Sequence, residues 1–252
     1  MIPYKYMNPQ TKYNLMFLDT ETTGNTKDDY LCQVAYLVGD ERYNELFTPI
    51  VPIPPEASAV HHIRPKHIEG KPAYKGSDFS QTLEKKLEDE NTVFIAHNAI
   101  FDIDMLAKED TKVNTYIDTL KVAQHLDTED KLNRYNLQYL RYALNLDDEA
   151  EGETIQAHDA LGDIIILRAL FNRLFEKARK DFKDDDETIE YLIKLTHTPV
   201  LISKINFGKH AGKTIKEIAA IDKGYLSWLY GQKKESEQDE TDWLYTLEQY
   251  LN

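Results

Sequence analysis

Four carboxylates and one histidine lie in three short strings, and the patterning around each string sets it where a strand gives way to a helix. The strings are LDTETTG at 18–24, HNAIFD at 97–102 and HDALGD at 158–163. Asp19 and Glu21 stand two apart at the end of an apolar run, so on a strand both side chains point to one face. Asp102 opens a helical pattern after the run TVFIAH, and His158 and Asp163 open a longer one at 158–180. A chain can gather these groups only if its strands end along one edge of a common sheet.

The rest of the pattern supplies such a sheet. NLMFLDT, YLCQVAYLVG and RYNELFTPI read as three successive strands of an antiparallel meander, with PIPPEAS as a turn-rich interruption after them. SDFSQTLEKKLEDE has a Ser/Asp start and helical spacing at Phe79, Leu83 and Leu87. TVFIAH and TYIDT are the fourth and fifth strands, and Leu137, Leu140 and Leu144 mark one face of a further helix. Helices after strands four and five imply parallel additions, which gives an α/β layer fold: a mixed five-stranded sheet flanked by helices. The charged stretch KDFKDDDETIE at 180–190 suggests a boundary. The expected division is a domain at 1–182, a linker or helix at 183–199 and a small C-terminal accessory module at 200–252.

A chain of 252 residues with 41% hydrophobic content can build one full α/β core plus such an appendage. The single cysteine, Cys32, excludes a disulfide framework and a Cys-based zinc site, and it fits a reducing, cytoplasmic setting. No long apolar run suggests a signal peptide or a membrane span. The net charge of -14 argues against coating of nucleic acid by the whole surface. Residues 201–234 run the other way, with seven lysines against Glu217 and Asp222.

Carboxylates gathered closely repel one another unless cations neutralise them, so the acidic set implies bound metal. Oxygen-only ligation favours Mg²⁺, as two ions, with Mn²⁺ able to substitute. An imidazole suits removal of a proton from water near neutral pH, the role open to His158. Together these are the requirements of metal-assisted phosphodiester hydrolysis. Other local patterns carry less. His61, His62 and His67 lack a fourth zinc ligand of matching spacing. FGKHAGKT has three residues between Gly208 and Gly212 where a phosphate loop needs four, leaving a glycine-bearing hairpin turn. Tyr135, Tyr139 and Tyr142, interleaved with Arg134 and Arg141, suit core-edge packing or base stacking.

DTETTG, HNAIFD and HDALGD resemble the three motifs of the DEDDh 3′-to-5′ exonucleases, which have a ribonuclease H-like fold. The resemblance covers roughly residues 14–180. It implies that Asp19, Glu21, Asp102 and Asp163 hold the metals and that His158 is the general base. It also implies that Thr22 and Thr23 lie against the terminal nucleotide while His61, Ile63 and Asn98 line its pocket. The run FGKHAGKTIKEIAAIDKGYLSWLY is similar to the C-terminal module of exodeoxyribonuclease X-like proteins. There Lys209, Lys213, Lys216 and Lys223 alternate with Phe207, Tyr225, Trp228 and Tyr230, which suits either a nucleic-acid grip or a small self-contained core. The expected activity is release of nucleoside 5′-monophosphates from the free 3′ end of DNA. The alternatives are an exoribonuclease or oligoribonuclease, and a proofreading-type subunit with polymerase or repair partners.

Overall fold

The computed structural model describes residues 9–129, 131–149, 160–236 and 240–251. Two compact units emerge, one running through Leu126 and resuming at Leu132–Thr196, the other joining Asp127–Lys131 to the chain from His197 onward.

The first unit is built on a five-stranded sheet of order β3-β2-β1-β4-β5. Its strands are β1 (Asn14–Thr22), β2 (Leu31–Val38), β3 (Glu41–Leu46), β4 (Thr92–Ala96) and β5 (Tyr116–Asp118). β1, β2 and β3 pair antiparallel, and β4 and β5 add in parallel, as the mixed sheet expected from the sequence. The β1–β4 register runs from Asn14↔Thr92 to Phe17↔Ile95 and stops there. Asp19 and Glu21 therefore project past the paired stretch, at the edge where β4 ends.

Alternation along β1 sorts its residues between two cores. Phe17 joins Leu37, Ile95 and Ile117 on one face, packed under α7 (Ala160–Arg179). Phe17 meets Phe171 edge-on, with ring centroids 5.3 Å apart. Met16 and Leu18 belong to the opposite face with Tyr36 and Phe94. That face is covered by α3 (Asp78–Leu87), through Phe79, Leu83 and Leu87, and by α4 (Ala99–Lys108), through Met105 and Leu106. Asp19 and Glu21 share the parity of Phe17, and hence the α7 side.

Some helices depart from the sequence reading. PIPPEAS is not merely a turn: Pro55 occupies the first position of α1 (Pro55–His61), where its fixed φ and missing N–H suit a helix start. A short α2 (Pro65–Ile68) follows, and α5 (Thr119–Leu126) continues directly from β5. α6 (Leu137–Ala143) is the helix expected from the leucine spacing; Tyr135 and Tyr139 lean on the core, while Tyr142 is 67% exposed. The segment read as a linker or helix at 183–199 forms α8 (Asp185–Thr196), whose Ile189, Leu192 and Leu195 lie in the first unit's core. Its acidic start, Asp185, Asp186 and Glu187, is a first helical turn, where negative charge complements the exposed N–H groups.

The second unit carries α9 (Ile215–Ile221), α10 (Lys223–Lys234) and α11 (Thr241–Leu251) around Ile205, Ile215, Ile218, Leu226, Leu229 and Leu247. A tight turn precedes α9, with Ile205 N–H donating to Lys213 O (2.9 Å) and Ile215 N–H to Ser203 O (2.9 Å). Gly208 and Gly212 take positive φ of 64° and 85° there, consistent with the glycine turn read from the sequence. Thr214 and Glu217 form a reciprocal cap at the start of α9. No described helix is long and apolar enough to cross a membrane.

Candidate active site

Asp19, Glu21 and Asp163 each bring a carboxylate oxygen within 4.8 Å of the other two. β1 supplies the first pair by alternation, and the first turn of α7, lying on the same face, supplies the third. Unit negative charges this close repel by roughly 3 kcal/mol per pair at an effective dielectric near 20, less where solvent screens them. Folding holds them together because β1 and α7 are clamped by the apolar core behind them. The donor set is all oxygen, which fits a hard divalent cation. Gln138, on α6, donates from Nε2 to Asp163 Oδ1 at 2.6 Å, fixing one oxygen's direction. α6 is itself anchored where Arg141 grips Asp147, with Nη2 to Oδ1 at 2.6 Å and Nε to Oδ1 at 2.9 Å.

Asp102 is not part of that close trio, among the described residues. It sits in the first turn of α4, on the sheet face that even-numbered β1 residues point to. Thr20 Oγ1 donates to its Oδ1 at 2.7 Å. Burial pushes the Asp102 carboxyl well above the ordinary carboxylate range; the Thr20 hydrogen bonds oppose this, and the like charge of Asp118 adds to it. The expected set of four thus appears as three gathered carboxylates on one face and one buried carboxylate behind Thr20. His158 lies outside the described residues.

Beside the trio, the chain after β1 forms a tightly braced loop. Asp29 Oδ1 accepts from Thr23 Oγ1 (2.8 Å), and its Oδ2 accepts from Thr26 N–H (2.8 Å) and Thr26 Oγ1 (2.7 Å). Lys108 Nζ donates to Thr26 O (3.1 Å) and Asp29 O (3.0 Å), tying the loop to α4. These bonds hold the Asp29 carboxyl below its usual range, Thr26 contributing most. Gly24 lets the turn close: a Cβ there would stand 2.6 Å from Asp29 Oδ2. The Thr22 hydroxyl donates to Gly24 O at 2.5 Å.

His61 supports this loop from within. Ile63 N–H donates to its Nδ1 (3.0 Å), so the proton sits on Nε2, which donates to Thr22 O (3.2 Å). Burial lowers the His61 pKa, in keeping with a neutral ring. Ile63 packs with Cys32, Ile53, Ala57 and Ile68. Cys32 is fully buried, its Sγ 3.9 Å from His61 Nε2, and burial pushes the thiol up to about 12. Asn98 is the exposed member of the expected nucleotide-facing set and takes φ 65°, a left-handed step that turns β4 into α4.

Three positions were not singled out from the sequence. Asp118 accepts from the N–H groups of Asn98 and Leu120, both at 2.9 Å, and so fixes the ends of β4 and β5. An Asp closing a short strand before a helical run was the readable sign. Gln138 and Asp29 had no comparable sign, because each acts on a residue distant in sequence or through loop geometry. Histidines 61, 62 and 67 form no metal-ligand group among the described residues.

Comparison with known proteins agrees with this geometry. A family model described as Exonuclease matches residues 16–171, and one described as Exodeoxyribonuclease X-like C-terminal matches residues 205–234. Exodeoxyribonuclease 10 of Escherichia coli strain K12 is 27% identical over 226 residues, 86% of this chain and 90% of that protein. DNA polymerase III subunit epsilon of Treponema pallidum is 29% identical over 170 residues, covering 62% and 74% respectively. The fold is shared with exonuclease X in complex with 5′ overhanging duplex DNA: TM-score 0.55 and 23% identity over 72% of this chain and 99% of that one. It is shared also with exonuclease I, at TM-score 0.55 and 18% identity, over 73% of this chain and 44% of that one. With the model spanning both β1 and the start of α7, and so all three gathered carboxylates, the chain belongs to the exonuclease family.

Proposed function

We propose that the chain is a Mg²⁺-dependent 3′-to-5′ exodeoxyribonuclease acting in the cytoplasm, with Mn²⁺ able to replace Mg²⁺. The observation that carries this reading is the convergence of Asp19, Glu21 and Asp163 at one sheet edge in a member of the exonuclease family. DNA as the substrate draws on the exodeoxyribonuclease relative, which aligns with most of this chain. Asp19, Glu21 and Asp163 would hold the divalent ions, with Asp102 adding an oxygen from the α4 side. When bound, such ions lower the charge repulsion at the scissile phosphate and steady the attacking and leaving oxygens.

The chain's own groups do the rest. His158 takes the proton of the attacking water, whose oxygen bonds to phosphorus as the P–O3′ bond breaks. The departing O3′ gains a proton, leaving a strand one nucleotide shorter with a new 3′ hydroxyl and a free nucleoside 5′-monophosphate. The braced Thr22–Thr23 backbone, with His61 and Ile63 beneath it, and Asn98 at the start of α4 form the seat of the terminal nucleotide.

The test uses 5′-labelled DNA with free or blocked 3′ ends, titrated with Mg²⁺. Stepwise shortening of the free end alone, lost in Asp19→Ala and His158→Ala, is the expected result. Cleavage of the blocked strand, or equal cleavage by the variants, would reject the reading. RNA of the same sequence shortened faster than DNA would favour an exoribonuclease or oligoribonuclease. A second reading, a proofreading subunit with polymerase or repair partners, is favoured by the similarity to the Treponema pallidum protein. It expects the chain to co-purify with a DNA polymerase from its native cell.

A further inference from the structure

The second unit uses some of its aromatic rings as core and leaves others bare. Tyr225, Tyr230, Trp243 and Tyr250 pack against its aliphatic centre. Trp228 is 56% exposed and Phe207 42%, and neither contributes to that centre. Indole surface left in water forgoes burial that the same ring would gain in a core.

The residues around Trp228 sharpen the point. Gly224 and Gly231 stand at i-4 and i+3 from it on α10, so all three share a helix face. A Cβ at Gly231 would meet nothing within 4 Å, and one at Gly224 only Asp222 Oδ1 at 3.8 Å. Neither glycine takes a positive φ. Glycine inside a helix costs about 1 kcal/mol relative to alanine, and at Gly231 neither packing nor backbone conformation accounts for it; Gly224, in the first turn, adds open space without that cost. What the glycines do is strip side chains from both ends of the exposed indole, leaving room for a second flat ring upon it. Tyr225 adds a neighbouring ring, its centroid 5.5 Å from that of Trp228.

The segment that carries Trp228 differs in charge sign from the chain as a whole. The turn containing Lys209 comes up against Tyr225, whose hydroxyl lies 3.0 Å from where a Cβ of Gly208 would be. Lys213 and Lys223 are exposed, whereas Lys209 Nζ is already paired with Asp222 Oδ2 at 2.7 Å. The segment 201–234 is strongly basic within a chain of net charge -14. A second copy of the chain docking here face to face would set lysine against lysine. A polyanion with unstacked planar rings suits both features, and single-stranded DNA is that chemistry.

We infer that the Trp228 face of the second unit binds single-stranded DNA, the indole stacking an unpaired base while exposed Lys213 and Lys223 hold flanking phosphates. The choice of DNA over RNA rests on the activity proposed above; the stacking surface does not.

The full chain is tested in EDTA, where hydrolysis is suppressed, by fluorescence anisotropy of a 5′-labelled oligothymidylate over a range of KCl. Trp228→Ala should weaken binding on the order of tenfold, and Trp228→Phe should restore most of it. The double variant Lys213→Gln, Lys223→Gln should lower the slope of log affinity against log salt by about 1.4, from roughly 0.7 per phosphate contact on a single strand. Circular dichroism checks that the variants remain folded. Wild-type affinity and slope in all variants would overturn the inference. So would duplex DNA competing as well as the single strand, or Trp228-dependent self-association without DNA binding; tighter binding of oligouridylate would overturn the assignment to DNA. A chain that binds through Trp228 yet hydrolyses no DNA sinks the catalytic reading alone. One that hydrolyses DNA and binds without regard to Trp228 sinks this one alone.

Discussion

Gln138 shows how much of the site rests on residues with no ionisable chemistry of their own. Its amide aims one oxygen of Asp163, proposed above as a metal ligand, and groups that orient metal ligands in this way typically tune affinity by 10- to 100-fold. Gln138→Leu should weaken Mg²⁺ binding by about tenfold by calorimetry, with the fold intact; unchanged affinity would show the bond to be incidental. His97 makes a different kind of contribution. Its Nε2 donates to Tyr135 O at 2.6 Å, and burial pulls its pKa down to about 4. In the unfolded chain it titrates near 6.5, so as pH falls the unfolded state takes up the proton first. Stability from this group is complete above about 6.5 and is lost through the window from 6.5 down to 4, by about 2 kcal/mol with allowance for the partly exposed ring. His97→Gln should therefore lose less stability than wild type between pH 7.5 and 4.5 in urea denaturation. An identical loss would remove His97 from the account.

At the scale of elements, the segment expected as a linker or helix takes the form of α8, packed into the first unit's core. Leu192→Ala should cost about 2–5 kcal/mol of the first unit's stability, since a fully buried leucine is removed from its core. A chain cut after residue 182 should lose cooperative unfolding that one cut after 196 keeps, by thermal melting. α8 also bonds to the sheet, Thr196 Oγ1 accepting from Asp118 N–H at 2.9 Å. In the sequence, the acidic cluster at 184–187 masked an amphipathic run that begins only at Ile189. Likewise the Pro54-Pro55 pair read as a break, although proline at the first helical position favours a start. The strands were readable because apolar alternation reports burial directly: β1 places Phe17 and Leu18 on opposite faces. The same alternation assigns Asp19 and Glu21 to the α7 side. Only the tertiary fold reveals that α4 lies on the other face and engages Asp102 through Thr20.

For the whole molecule, the closeness of the three carboxylates means that a cation bound among them would relieve their mutual repulsion. Mg²⁺ at ten times its dissociation constant should add about 1.4 kcal/mol to the first unit and raise its melting temperature by roughly 3 °C. Asp19→Asn should raise the metal-free melting temperature and erase most of the Mg²⁺ increment, by calorimetry with and without EDTA. A variant that melts lower and still gains the full increment would place the ion elsewhere. One last property follows from the placement of Cys32, the chain's single cysteine, sealed beneath His61. A maleimide dye can label this protein only while β2 and the His61 shelf breathe apart. At dye concentrations where labelling outpaces reclosure, the labelling rate of the unmodified chain is thus a clock for that opening, needing no engineered probe.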